Sequence, residues 1–277
     1  LIGDVPLEEL RPEAPDEHPY AENLSALPPE ERNTMIHAGV DVAGDGRAGT
    51  YLLKDQSVVH CHIAQEGIEL LGMAEALRKF GGLPAYYWRL VSAETDDYTR
   101  YVSRIEPAGY FIRARAGQKT LFPVQACLFL EDGDTVQGVH NIIVAEAGAQ
   151  LDVITGCTAG HAAHGRAAHL GVSEIFVEEG ASVTFSMIHN WGEHIQVRPR
   201  TGVHVQAGGK FVSNYVCLKP VRDVQMNPLA RLVGPGAVAR FSSVLVAHAG
   251  AALDVGSRVS LEAAETPIAS SGSALPR

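Results

Sequence analysis

The softest metal and sulfur donors of this 277-residue chain are its four cysteines, which stand among twelve histidines. Cys157 lies in Thr155-Gly156-Cys157-Thr158, beside a Gly-rich turn, with His161, His164 and His169 close behind. An imidazole near a thiol either lowers the thiol pKa or joins it around an ion, so this stretch is the first candidate for thiolate or metal chemistry. The competing reading is plain. A free cysteine is more often a buried core residue, and metal ligands need anchoring partners that an Ala- and Gly-rich loop over 158–171 does not advertise. His60-Cys61-His62 is a second group; neighbours in a strand face opposite ways, so at most His60 and His62 share an ion. Cys127 and Cys217 fall in strand-like runs and read as packing residues. Alternation also puts His189 and Trp191 on one face with Asn190 opposite. Trp191 is then most simply core, and His140 an inward-facing, hydrogen-bonded core histidine.

No CxxC pair occurs, and that spacing suits neither a zinc knuckle nor a self-contained ferredoxin cluster. Any metal chemistry must assemble from residues distant in sequence or from two chains. The positioning elements are therefore decisive. Residues 1–29, rich in Pro and Glu, predict an extended or mobile lead-in, and residues 30–105 a small α/β region. Within it, Pro28-Pro29-Glu30-Glu31 opens a short helix. Ile68, Leu70, Leu71, Met73, Ala74, Leu77 and Phe80 are spaced for one helix over 68–80, closed by Gly81-Gly82. The aromatic residues Tyr86, Tyr87, Trp88 and Tyr98 predict packing of this region onto the main body.

From residue 106 to 262 short β-branched and aromatic runs alternate with Gly turns. The turn glycines fall at Gly117, Gly148, Gly180, Gly208, Gly236 and Gly250, at separations of 31, 32, 28, 28 and 14. A recurring turn at so regular a spacing is the signature of stacked coils, each burying its inward face on the next. An antiparallel sandwich seldom repeats one turn motif this way. The last stretch, 263–277, has little strand character and predicts an irregular tail, from a chain either truncated or a short divergent member of its kind.

Hydrophobic residues make up 46% and the net charge is −10, an ordinary globular balance with an acidic surface. That surface argues against nucleic acid or anionic membrane as partner, since both need clustered Lys and Arg. Arg198, Arg200, Lys219, Arg222, Arg231 and Arg240 are spread across coils and predict a solvated face, with a docking stripe as the other reading. No apolar run reaches spanning length, and a cytoplasmic location is expected. The six-residue repeat of acyltransferase solenoids and the paired carboxylates of glycan-cleaving ones are both missing, which argues against an enzyme.

Several strings resemble the SufB/SufD family in order along 33–262: GYFIRARAG (109–117), FPVQACL (122–128), VHNIIVAEAGAQLDVITGCT (139–158), FSMIHNW (185–191), VRPRT (197–201), FVSNYVCLKPV (211–221) and LDVGSRVSL (253–261). The resemblance implies an all-β core, a right-handed parallel β-helix flanked by helical segments. It implies a scaffold that accepts persulfide sulfur and iron, builds a transient iron–sulfur cluster, and works with a SufC-type ABC ATPase as a homodimer or SufB/SufD-type heterodimer. By the same resemblance Cys157 is the sulfur entry point, and His189 (where the family has Gln), Trp191 and His140 line a route through the helix. Cys157, His161 and His164 are then the candidate metal group. Nothing here matches the family's late cysteine, glutamate and histidine positions, so a SufD-like structural role stays open.

Overall fold

A computed structural model describes residues 2–12, 17–43, 45–160, 165–263 and 268–276. In chain order the elements are α1 (Pro29–His37), β1 (Gly49–Lys54), β2 (Ser57–Ile63), β3 (Ile68–Gly72), α2 (Met73–Lys79), α3 (Asp97–Arg104) and β4 (Tyr110–Ala114). The coils follow: β5 (Val124–Leu130), β6 (Val136–Ala145), β7 (Gln150–Ala159), β8 (Ala167–Val177), β9 (Ser182–Asn190), β10 (Ile195–Val197), β11 (Arg200–Val205) and β12 (Lys210–Cys217). Last come β13 (Asp223–Met226), β14 (Leu229–Leu232), β15 (Val238–Ala247), β16 (Ala252–Val255), β17 (Arg258–Leu261) and β18 (Ile268–Pro276).

The parallel strands stack into a β-solenoid of about five turns. One wall runs β18-β15-β12-β9-β7-β5-β1-β2; the other runs β16-β13-β10-β8-β11-β14-β17, with β6 and β4 also joined to it. The turn glycines predicted from spacing form a column. Gly117, Gly148, Gly180, Gly208 and Gly236 all have φ between +64° and +70°, a region costly for residues with a Cβ. The amides of the first four bond to the next coil, as Gly148 N–H does to the Glu179 carbonyl at 2.9 Å. Gly250, the half-step, turns the chain at the corner between β15 and β16. In later coils the second wall is split: β10 and β11 are separated by Arg198 and Pro199, and β13 and β14 by Asn227 and Pro228. Proline has no N–H for the ladder, so the strand breaks where it stands.

Three expectations need correction. The stretch 68–80 is not one helix, because β3 pairs antiparallel with β4 (Leu70 opposite Ile112) and only 73–79 is helical. The tail is not wholly irregular: β18 continues the first wall in register with β15, since an edge strand templates even a Ser- and Ala-rich neighbour. The lead-in is extended but held. Arg11 exchanges backbone hydrogen bonds with Asp134 and Val136, and the Gly3 carbonyl accepts from Arg198 Nη2 at 2.8 Å.

The N-terminal unit closes over the second wall through α3 and the aromatic loop before it. An Asp96–Thr99 capping box starts α3, and its buried Tyr98 and Val102 pack with Val136, Leu170 and Val172. Among the described residues no helix is long and apolar enough to cross a membrane.

Candidate functional site

Strands β7, β9 and β12 lie side by side, and every second side chain enters the bore. Register makes His189 the direct partner of Cys157 on one side and of Cys217 on the other. Leu128 and Leu245 extend the row beyond the two thiols. The bore therefore holds a row of thiol, imidazole and thiol, at steps of about 4.8 Å set by strand spacing. Cys157, His189 and Cys217 are at most 2% exposed.

Aromatic and polar groups from both walls close around this row. The His189 ring lies 5.7 Å from Trp191, and Trp191 lies 5.0 Å from His169 of β8. Tyr215 Oη is 2.9 Å from His189 Nδ1, and His169 Nδ1 is 2.8 Å from Gln137 Oε1. Two polar atoms are left over: His189 Nε2 and Trp191 Nε1 are buried without a hydrogen-bond partner among the described residues. An orphaned buried polar group costs about 1–3 kcal/mol. Two on one inner face call for an explanation.

Burial sets the electrostatics. It pushes the Cys157 thiol far above its ordinary pKa. It drives His169 down to about 3 and His189 well below its usual value, the latter helped by the neighbouring His169. Neutral imidazoles cannot stabilise a thiolate by charge. Of the histidines expected to lower the Cys157 pKa only His169 lies among the described residues, and there burial outweighs any help it could give; the thiol itself is buried. Tyr215 Oη and His189 Nδ1 share one hydrogen bond, and the ring nitrogen opposite, Nε2, is a donor or an acceptor according to which of the two atoms supplies that proton.

The other predicted residues sort clearly. His161 and His164 lie outside the described residues, so the proposed Cys157, His161, His164 group has no described geometry. His169 belongs to β8 rather than to a loop, and joins the bore. His140 does not line the bore: Val139 and Ile143 face inward, and His140 faces the N-terminal unit. There its Nε2 is 2.7 Å from Glu174, between Tyr87 and Trp88 rings at 4.4 Å each. Glu174 is fully buried and also accepts the backbone N–H groups of Trp88, Leu90 and Val91. Cys127 packs with Leu24, Met35 and Phe129, as expected. Of the basic set, Arg198 is not solvated; it is buried against Asp223, while Lys219, Arg222, Arg231 and Arg240 are exposed.

Cys217 is buried in the core, as expected of a packing residue, and it also stands in the row with His189. The signal for that place was present. Cys157, His189 and Cys217 each follow their turn glycine (Gly148, Gly180, Gly208) by nine residues.

The donor types suit sulfur and iron, but the spacing does not suit a chelate. Thiols two strand steps apart cannot both reach one ion at about 2.3 Å, and among the described residues no three His, Cys, Asp or Glu side chains gather to hold a metal.

A family model described as SUF system FeS cluster assembly, SufBD core domain, matches residues 128–269. An iron-sulfur cluster assembly SufBD family protein of Methanothermobacter thermautotrophicus is 39% identical over 263 residues, covering 94% of this chain and 64% of the relative. One of Archaeoglobus fulgidus is 39% identical over 231 residues, covering 83% and 62%. One of Pyrococcus horikoshii is 26% identical over 247 residues, covering 87% and 55%. The chain thus spans less than two thirds of the length of these relatives.

Proposed function

Because the chain belongs to the SufBD family and so has a role in iron–sulfur cluster assembly, we propose that it is a non-enzymatic cytoplasmic scaffold that receives sulfane sulfur on Cys157. The observation that supports this is the pair of orphaned atoms, His189 Nε2 and Trp191 Nε1, on the inner face that carries Cys157. In the transfer, the Cys157 sulfur attacks the outer sulfur of a donor persulfide. A new S–S bond forms at Cys157, the donor's S–S bond breaks, and the Cys157 proton passes to the departing thiolate. A sulfur anion then held at Cys157 shares its inner face with the unpaired Trp191 N–H, and the cost of burying that donor is recovered when an acceptor arrives.

Iron and the nascent cluster are cargo in this reading. The row of thiols supplies sulfur, and remaining ligands come from a second SufB/SufD-type chain, since among the described residues the bore gathers no three ligands. A SufC-type ABC ATPase fits as the partner that opens a bore whose entry thiol is buried. A second reading is a SufD-like structural partner that binds no metal, in which Cys157 and Cys217 serve as core packing, where both are buried.

Anaerobic co-purification with a SufC-type ATPase, followed by loading from a persulfide donor, tests both. The scaffold reading expects cyanolysable sulfur and cluster absorbance in the wild type, both lost in Cys157→Ser and retained in Cys127→Ser. Equal sulfur and cluster in Cys157→Ser would sink it in favour of the structural role.

A further inference from the structure

We propose that His60 and His62, on the outward face of edge strand β2, bind a divalent first-row metal ion together with a carboxylate from Glu22 or Asp45. This site lies outside the bore and is independent of the sulfur reading above.

In β2 the two histidines are opposite Leu52 and Thr50 of β1 and so share one face. Their ring centres are 6.4 Å apart with planes at 39°. With an ion about 2.1 Å from each nitrogen, two ring centres stand up to about 6 Å apart. A small rotation of His62 closes the difference, and His62 is exposed and able to make it.

His60 is the preset half. It is buried, and its Nδ1 lies 2.8 Å from the Ala21 carbonyl. A carbonyl oxygen only accepts, so Nδ1 carries the proton and Nε2 keeps its lone pair. Metal-binding histidines are typically oriented by this kind of contact. Tyr20 stacks on the same ring at 6.2 Å and fixes its plane.

Both imidazoles line a cleft of about 260 Å³ that also receives Glu22, Asp45 and the Thr50 hydroxyl. No Lys or Arg is among the described residues lining it, so the local charge favours a cation. Among the described residues no three potential ligands are gathered around one point. The rigid part is thus the histidine pair, and the exposed Glu22 and Asp45 side chains supply an adjustable arm. Two nitrogens and a carboxylate favour Fe²⁺, Co²⁺, Ni²⁺ or Zn²⁺ over Mg²⁺ and Ca²⁺.

The test is anaerobic titration of the untagged full chain with Co²⁺, followed by visible absorbance and equilibrium dialysis, against Mg²⁺. One Co²⁺ per chain is expected, with affinity reduced at least about tenfold in His62→Ala and unchanged in a Cys157→Ser, Cys217→Ser double variant. His62 is exposed, so His62→Ala keeps its fold, which circular dichroism checks. Glu22→Gln and Asp45→Asn identify the arm. A wild type that binds no Co²⁺, or His62→Ala binding as tightly as wild type, overturns the site. Loss of binding in the cysteine variant would move the ion to the bore, and no loss in either carboxylate variant would refute the carboxylate arm.

Discussion

His140 and His189 are both buried on solenoid strands, yet they face opposite ways and live in different chemical company. His140 looks outward to Glu174, whose carboxylate is engaged by an imidazole and three backbone amides. His189 looks inward to a tyrosine hydroxyl, two thiols in its own row and an indole, with no carboxylate among its partners. A buried ion whose hydrogen bonds are filled is a fastening; it docks the 83–91 loop on the coils. His140 Nδ1 is unpaired as well among the described residues, so a spare imidazole nitrogen does not separate the two; what sets His189 apart is the second orphan beside it, Trp191 Nε1, and the thiol on either side. The same residue type thus fastens a loop on one face of a strand wall and, on the other, stands in the row proposed to receive sulfur.

The fastening should break hardest. Glu174→Ala strands three amides and His140, and we expect a loss of about 3–5 kcal/mol in urea unfolding; a loss under about 1 kcal/mol would mean that the loop docks by its aromatics alone. Acid should come next and should single out the bore. The folded pKa values of His169 and His189 lie below their unfolded values, so the unfolded state binds more protons. The stability they confer as neutral groups is complete above about pH 6.5 and falls as pH drops toward the folded values. Unfolding at pH 5.5 should take up about two protons from this pair, and a His169→Gln, His189→Gln double variant should flatten the pH dependence between pH 6.5 and 5.5. An unchanged slope would place the acid sensitivity elsewhere. The smallest effect belongs to Trp191→Phe, which keeps packing and deletes one orphaned N–H. Stability should shift by less than about 1 kcal/mol, while sulfur retained at Cys157 falls in the cyanolysis assay. A large stability loss with full sulfur retention would return Trp191 to the core.

The solenoid was legible because the turn requires φ > 0 and glycine alone supplies it cheaply, so Gly117 to Gly236 mark each coil. Which way a side chain faces was harder to read. In β6 every residue is buried, since helices and loops cover the outside; hydrophobicity then carries no parity signal, and His140 was placed on the wrong side. The Ala- and Gly-rich stretch after Cys157 read as loop because its composition is weakly β-forming, yet β8 forms from Ala167 because β6, β10 and β11 pair with it. At 68–80 two periods overlap. Ile68 and Leu70 alternate as a strand and enter the bore, then Met73 and Ala76 follow a helical step onto Phe111 and Ile142. Cys217 packs in the core as expected; its place beside His189 is legible only when it is counted from its glycine.

The glycine column also acts as a reading frame. Coil lengths between successive glycines differ, at 31, 32, 28 and 28 residues, yet Cys157, His189 and Cys217 keep the same count from the turn. Two of the three extra residues of the first coil precede β5, between Lys119 and Val124, and as a pair they leave the strand's parity unchanged, whereas the four extra residues of the second coil fall after β7, at the corner before β8. That corner can lengthen or shorten without penalty to the row, whereas one residue inserted between a turn glycine and its ninth successor would rotate thiol and imidazole out of the bore. Variation in such a protein is therefore punctuated: free at one corner, and parity-bound at the other, where the first coil's insertion is a pair.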